Sequence, residues 1–181
     1  MFQIGDYVVY GCKGIHEITD ITTLNMEGVD HDREYYILKP YAAAAGSVYA
    51  PVDSTKINMR LVMSEDEVTA FLENIASILP INLRSPKQQE EAFKICVKSC
   101  DPDELMRVIK TLRIRKQERA ERGKKLTLTD THYLEQAEKI LYDELSLVLQ
   151  RPVSEIPEMI HELIIRATKM PVSGESPVND D

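Results

Sequence analysis

Ser64-Glu65-Asp66-Glu67-Val68-Thr69-Ala70-Phe71-Leu72 is the stretch where the chain changes its periodicity. Ser64 with Glu67 three residues on is a capping box, in which the hydroxyl serves the third helical N–H and the carboxylate returns to the capping N–H. From there Val68, Phe71, Leu72, Ile75 and Leu79 recur at helical spacing and predict one buried helix face. Before Ser64 no such spacing exists, so two kinds of structure meet at this point. The expectation is an α+β protein with a β domain over 1–63, a helical domain over 64–170 and a disordered tail over 171–181.

Upstream, Val8-Val9-Tyr10, the Ile- and Thr-rich run Ile15 to Leu24, Tyr35-Tyr36-Ile37-Leu38 and Val48-Tyr49-Ala50-Pro51-Val52 read as short strands. Gly11 and Gly14, Asn25 and Gly28, Pro40 and Gly46, and Asp53-Ser54 punctuate them as turns. Four or five strands in about 60 residues are too few for an ordinary sandwich and suit a small, strongly bent β-barrel. Pro51 has no N–H for a ladder, which places its strand at an edge or turns its nitrogen outward. The stretch Ile18 to Leu24 is the expected exposed strand edge.

Downstream, Pro80 and Pro86 bracket a linker, and a second helix over about 87–99 is expected to bury Ala92, Phe93, Cys96 and Val97. Asp101-Pro102-Asp103-Glu104 combines a capping acid, Pro at the first helical position and an acid in the first turn, a strong start for a third helix. Its stripe Leu105, Val108, Ile109 and Leu112 runs on into Lys116 and Arg119, so its last two turns should leave the core, and Gly123 should end it. A fourth helix over about 130–149 and a fifth from Ser154 complete the expected count of four to five.

The charge is uneven. Net charge is −8, yet residues 107–125 hold nine cations against Glu118 and Glu121, a local +7, while 1–63, 64–106 and 126–181 are each acidic. Lys and Arg near a helix C-terminus suit the helix dipole. Nine exceed that need, and a phosphate backbone is a natural partner for such a surface. Arg113, Arg115, Lys116, Arg119, Arg122, Lys124 and Lys125 are the candidate nucleic-acid contacts.

Other chemistry is not expected. No apolar run approaches the ~20 residues of a membrane span, and Met1-Phe2-Gln3-Ile4-Gly5-Asp6 does not read as a signal peptide. Three cysteines argue for a reducing cytoplasm and against a disulfide scaffold. Cys96 and Cys100 are two of the about four ligands that zinc needs, with only Cys12 besides. The four histidines are scattered, Gly11-Cys12-Lys13-Gly14 lacks the spacing of a phosphate loop, and Glu90-Glu91 and Asp143-Glu144 diverge on their helices. The expectation is a protein that is not an enzyme, with no cofactor, metal or small-molecule substrate.

Met1-Phe2-Gln3-Ile4-Gly5-Asp6-Tyr7-Val8-Val9-Tyr10-Gly11 followed by Gly14-Ile15 resembles the opening of the CarD family of bacterial transcription regulators. The blocks Tyr35-Tyr36-Ile37-Leu38, Val48-Tyr49-Ala50-Pro51-Val52-Asp53 and Met59-Arg60 follow in the family's order, and the Arg-Lys-Gln-Glu-Arg segment at 115–119 looks like its helical half. The resemblance covers about residues 1–168. It implies a Tudor-like barrel docked on the β subunit of RNA polymerase and a helical domain touching promoter DNA at the upstream edge of the transcription bubble, stabilising the open complex. Sheet addition at an exposed edge is a fitting mode for the barrel, with Ile21, Leu24, Tyr49 and Pro51 as the polymerase-facing residues. The chain departs from the family pattern twice. It has no Trp, with Leu83 where the family places one early in the helical domain, and Leu24 and Tyr49 stand where some members carry polymerase-contacting arginines. Two further readings follow from the same features: an adaptor that keeps polymerase and has lost DNA, and a small-barrel protein associated with RNA or the ribosome.

Overall fold

The structure is a computed structural model and describes residues 1–25, 30–42 and 46–169. The turn at Gly28 and the tail over 171–181 lie outside the described residues.

Among the described residues five strands form the N-terminal third: β1 (Tyr7–Tyr10), β2 (Ile15–Thr23), β3 (Glu34–Pro40), β4 (Val48–Pro51) and β5 (Met59–Leu61). They make one antiparallel sheet in the order β4-β3-β2-β1-β5. Between β1 and β2 the chain makes a single 3-10 turn over Gly11–Lys13. Gly11 sits there at φ +51, and a Cβ on it would lie 2.7 Å from the Ile57 side chain, so only glycine fits. The β2–β3 register shifts between Ile18 and Asp20, a bulge that bends the strand.

The two faces of β1 serve different cores. Val8 and Tyr10 pack with Ile18, Tyr36, Leu38 and Ala50 inside the curve of the sheet. Val9, pointing the other way by strand alternation, is fully buried among the helices. The expected barrel is therefore corrected to an open, Tudor-like sheet. Closure requires β4 to pair with β5, and β5 is committed elsewhere: Arg60 sends its Nε to the Cys100 carbonyl at 2.7 Å and its guanidinium to Glu144.

Among the described residues five helices follow: α1 (Glu65–Asn74), α2 (Pro86–Ser99), α3 (Pro102–Glu121), α4 (Leu128–Leu149) and α5 (Ile156–Lys169). The capping box forms as expected, with Ser64 N donating to Glu67 Oε2 at 2.7 Å and Glu67 N to Ser64 Oγ at 3.2 Å. Asp101 caps α3 and Thr127 caps α4, each accepting from the N–H three residues on. The expected stripe of α3 is buried, Leu105, Val108, Ile109 and Leu112 being fully enclosed against α2 and α4. Leu79 departs from expectation and is 74% exposed. α1 ends at Asn74, and Lys110 of α3 donates to the carbonyls of Ile75 (2.6 Å), Ile78 (2.8 Å) and Ala76 (3.3 Å), holding the following segment out of the helical path. Lys110→Met keeps the stem and strands these carbonyls. It is expected to cost roughly 1–3 kcal/mol, read as a lower melting temperature and faster amide exchange over residues 75–81.

The two halves are joined by a buried ion pair. Glu144 of α4 is 0% exposed and accepts from both terminal nitrogens of Arg60, at 2.6 and 2.7 Å, and from Met63 N at 2.8 Å.

His16 of β2 is almost wholly enclosed, with Nδ1 3.0 Å from the Gly14 carbonyl and its ring edge-on to Tyr10. Burial lowers its pKa below the ordinary 6.5, against the opposing hydrogen bond to Gly14. The unfolded chain therefore binds the proton more readily than the folded one. Its contribution is present above pH 6.5 and is lost as pH falls below that value. Urea unfolding between pH 7.5 and 5 is expected to show stability declining across this window, and His16→Gln to flatten that part of the profile.

Candidate functional site

Two surfaces hold the residues singled out in the sequence. The first is the outer edge of the sheet. β4 pairs with β3 alone, placing Tyr49 opposite Ile37 and Pro51 opposite Tyr35. The edge position read from Pro51 is the one observed. An edge strand presents a row of unpaired backbone groups, and Tyr49 adds a ring that is 44% exposed. Ile21 lies in β2 opposite Tyr36, half-buried against the sheet core.

The edge expected over Ile18 to Leu24 is found in part: β3 covers one side of β2 throughout, while β1, extended by the Ile18 bonds to Gly5 and Asp6, covers the other only as far as Ile18, so among the described residues the strand beyond Ile18 pairs on one side alone. One polymerase-facing residue departs from expectation. Leu24 is itself buried, with its carbonyl 3.0 Å from His31 Nδ1, so its side chain is not offered to a partner.

The second surface is the far end of α3 and the turn into α4. The seven cations assigned there divide into two sets. Arg113 Nε donates to Glu138 Oε1 at 2.8 Å, and its guanidinium lies over the Tyr142 ring. Arg115 donates to Asp130 Oδ1 at 2.7 Å and to Gln89, and sits over Phe93. These two arginines pin α3 to α4 and α2, so their guanidinium groups are engaged within the protein. The acids that hold them lie 15 and 25 positions away, beyond any local reading of charge.

Arg119 is half-buried and donates its Nε to the Lys125 carbonyl at 2.7 Å, fastening the turn. Gly123, at φ +67, sends its N–H to Ala120 and lets the chain reverse. Lys116, Arg122, Lys124 and Lys125 are exposed and, among the described residues, engage in no ion pair. Leu128, the first residue of α4, is 91% exposed beside them. Sequence reading passed over it. Its signal was a leucine about 150° off the α4 stripe of Leu134, Ala137, Ile140, Leu141, Leu145 and Val148 at 100° per residue. Leu83, expected as an apolar contact, is 37% exposed in the α1–α2 connection, and its carbonyl accepts from the Gln89 amide. Leu79 is the more exposed leucine of that connection.

The remaining titratable groups read as structural. Burial and the bond to Glu104 push the Cys96 thiol up to about 12, and burial pushes Cys100 up to about 11. Both are poor nucleophiles as a result. Among the described residues no three His, Cys, Asp or Glu side chains are placed to hold a metal ion, and no helix is long and apolar enough to cross a membrane.

An open five-stranded sheet with β4 and β5 at its two edges is followed by a helical unit. Residues 2–63 match the family model described as the CarD-like/TRCF RID domain, which supports a CarD-like, RNA polymerase-interacting family for this part of the chain. The protein thus carries an RNA polymerase-interacting, transcription-related domain, which implies contact with the β subunit of the polymerase. The match ends before α1, so the helical unit is read from its own structure. No curated protein matches the chain.

Proposed function

We propose that the protein is a non-enzymatic cytoplasmic transcription regulator. It docks on the polymerase β subunit through the edge of its sheet and rests the α3–α4 turn on promoter DNA near the upstream edge of the bubble, modulating open-complex stability. The observation that carries the nucleic-acid half is the cluster of exposed, unpaired cations Lys116, Arg122, Lys124 and Lys125 on an otherwise acidic chain. Lysines and arginines so placed make phosphate contacts, which position a protein without reading bases. Tethering to polymerase raises the local concentration of DNA, so a few such contacts suffice. Strand β4 supports the polymerase half, because main-chain bonds along a free edge give affinity while side chains such as Tyr49 give selectivity.

The experiment is an open-complex lifetime assay with the full chain. The expected result is a changed lifetime with the wild-type protein, lost on Tyr49→Asp through failed polymerase binding. A second reading, an adaptor that binds polymerase without touching DNA, is favoured by the internal engagement of Arg113 and Arg115. Full polymerase affinity with an unchanged lifetime selects it.

A further inference from the structure

We propose that the cleft where the sheet meets the end of α2 is a second phosphate-binding site, which takes the sugar–phosphate backbone of the same duplex that the α3–α4 turn contacts. This inference rests on the DNA reading above. The cleft, of about 350 Å3, is lined by Lys13, Lys56 and Lys98, with Tyr10, Cys12 and Asn58 among its other walls. The three lysines come from three separate elements: the turn after β1, the loop before β5 and the last turn of α2. All three are exposed and, among the described residues, in no ion pair. Among the described residues no Asp or Glu lines the cleft, in a chain with 30 acidic residues against 22 Lys and Arg.

Like charges gathered in a concavity repel one another and focus a positive potential on whatever enters it. The helix dipole accounts for Lys98 but not for Lys56, which belongs to no helix. The walls are also fixed. Asn58 Nδ2 donates to the Lys98 carbonyl at 2.9 Å, Gly11 N donates to the Asn58 carbonyl at 2.8 Å, and Lys13 Nζ stands 5.3 Å from the Tyr10 ring centre. Walls tied together fix the backbone from which the three lysines extend, which reduces part of the ordering cost of binding.

Its position suits one continuous ligand. Lys98 lies just before α3 begins, and the cationic turn lies just after α3 ends. At 1.5 Å per residue the 20 residues of α3 separate the two by about 30 Å. One turn of B-form duplex is about 34 Å, so a single backbone returns to the protein at nearly this interval.

Cys12 makes the site directly observable, since it lines the cleft and is exposed while Cys96 and Cys100 are buried. The probes are a 24-base-pair duplex and a maleimide, used on the full chain. The expected result is that the duplex slows Cys12 alkylation several-fold at low salt and that 0.5 M salt abolishes the protection. Lys56→Glu with Lys98→Glu should remove the protection and lower the slope of log K against log salt by about 1.8. Unchanged protection and slope in this double variant, with Arg122→Glu and Lys124→Glu still weakening binding, would overturn the cleft and leave the DNA reading standing. A wild-type chain that binds no duplex would overturn both. Loss of polymerase binding by the double variant, with duplex binding intact, would assign the cleft to an acidic protein surface and overturn it as a phosphate site. Circular dichroism of each variant confirms the fold, and Lys56→Ala with Lys98→Ala repeats the slope measurement without introducing new negative charge.

Discussion

Glu144→Ala is expected to destabilise the protein by about 3–5 kcal/mol, because it leaves a partly buried guanidinium without its counter-ion. For a chain of this size that is a fall in melting temperature of roughly 6–20 °C. Arg60 loses both charged contacts, and Met63 N loses its acceptor in the same step. The same ion pair need not be a net source of stability, since burying two charges costs much of what their attraction returns. Arg60→Met combined with Glu144→Leu should therefore recover most of the loss. Differential scanning calorimetry of the single and double variants decides the matter. A shift below 2 °C for Glu144→Ala would show that the pair is dispensable. The consequence reaches function, because Arg60 is the side chain by which β5 grips α4. A variant without it should bind polymerase while placing the α3–α4 turn less reproducibly, with a broader spread of open-complex lifetimes.

The second large effect is expected at the cationic turn. Lys116→Glu, Arg122→Glu and Lys124→Glu together remove three exposed cations that no acid of the described structure engages. If each meets one phosphate, the salt slope falls by about 2.7, equivalent to about 40-fold of affinity gained back by the wild type between 200 and 50 mM salt. Arg113→Ala and Arg115→Ala should behave differently. They lose the bonds to Glu138 and Asp130, so they should lower thermal stability while leaving the salt slope nearly unchanged. Fluorescence anisotropy of a labelled duplex across a salt series separates the two sets. Equal slopes for the triple variant and the wild type would refute the nucleic-acid role of the turn.

Much of this architecture was legible along the chain because its signals are local. The capping box at Ser64 and the cap Asp101 act within three residues, and both helices start where those residues stand, whereas α4 starts at Leu128 behind Thr127, ahead of the expected start near 130. Pro51 announced an edge strand through a missing N–H, a property of one residue. The stripe of α3 ran out into cations at Lys116, and the last turns of the helix are indeed exposed. The errors have the opposite character. Leu79 continued a helical period that Lys110, 31 positions on, interrupts through three carbonyls. Leu24 carried no local mark that it would be buried.

The order of polar and apolar residues alone therefore determined that a short-stranded β unit precedes a helical one, where the helices begin, and that one segment bears an excess of +7. Which of those charges are free was decided only in three dimensions. Arg113 and Arg115 differ from Lys116 and Arg122 in nothing a sequence can display except the distant acids that folding brings beside them. The same holds for Lys13, Lys56 and Lys98, which converge from separate elements. Capping and periodicity act over one or two turns of chain, whereas an ion pair or a cleft depends on which surfaces the packed core brings together.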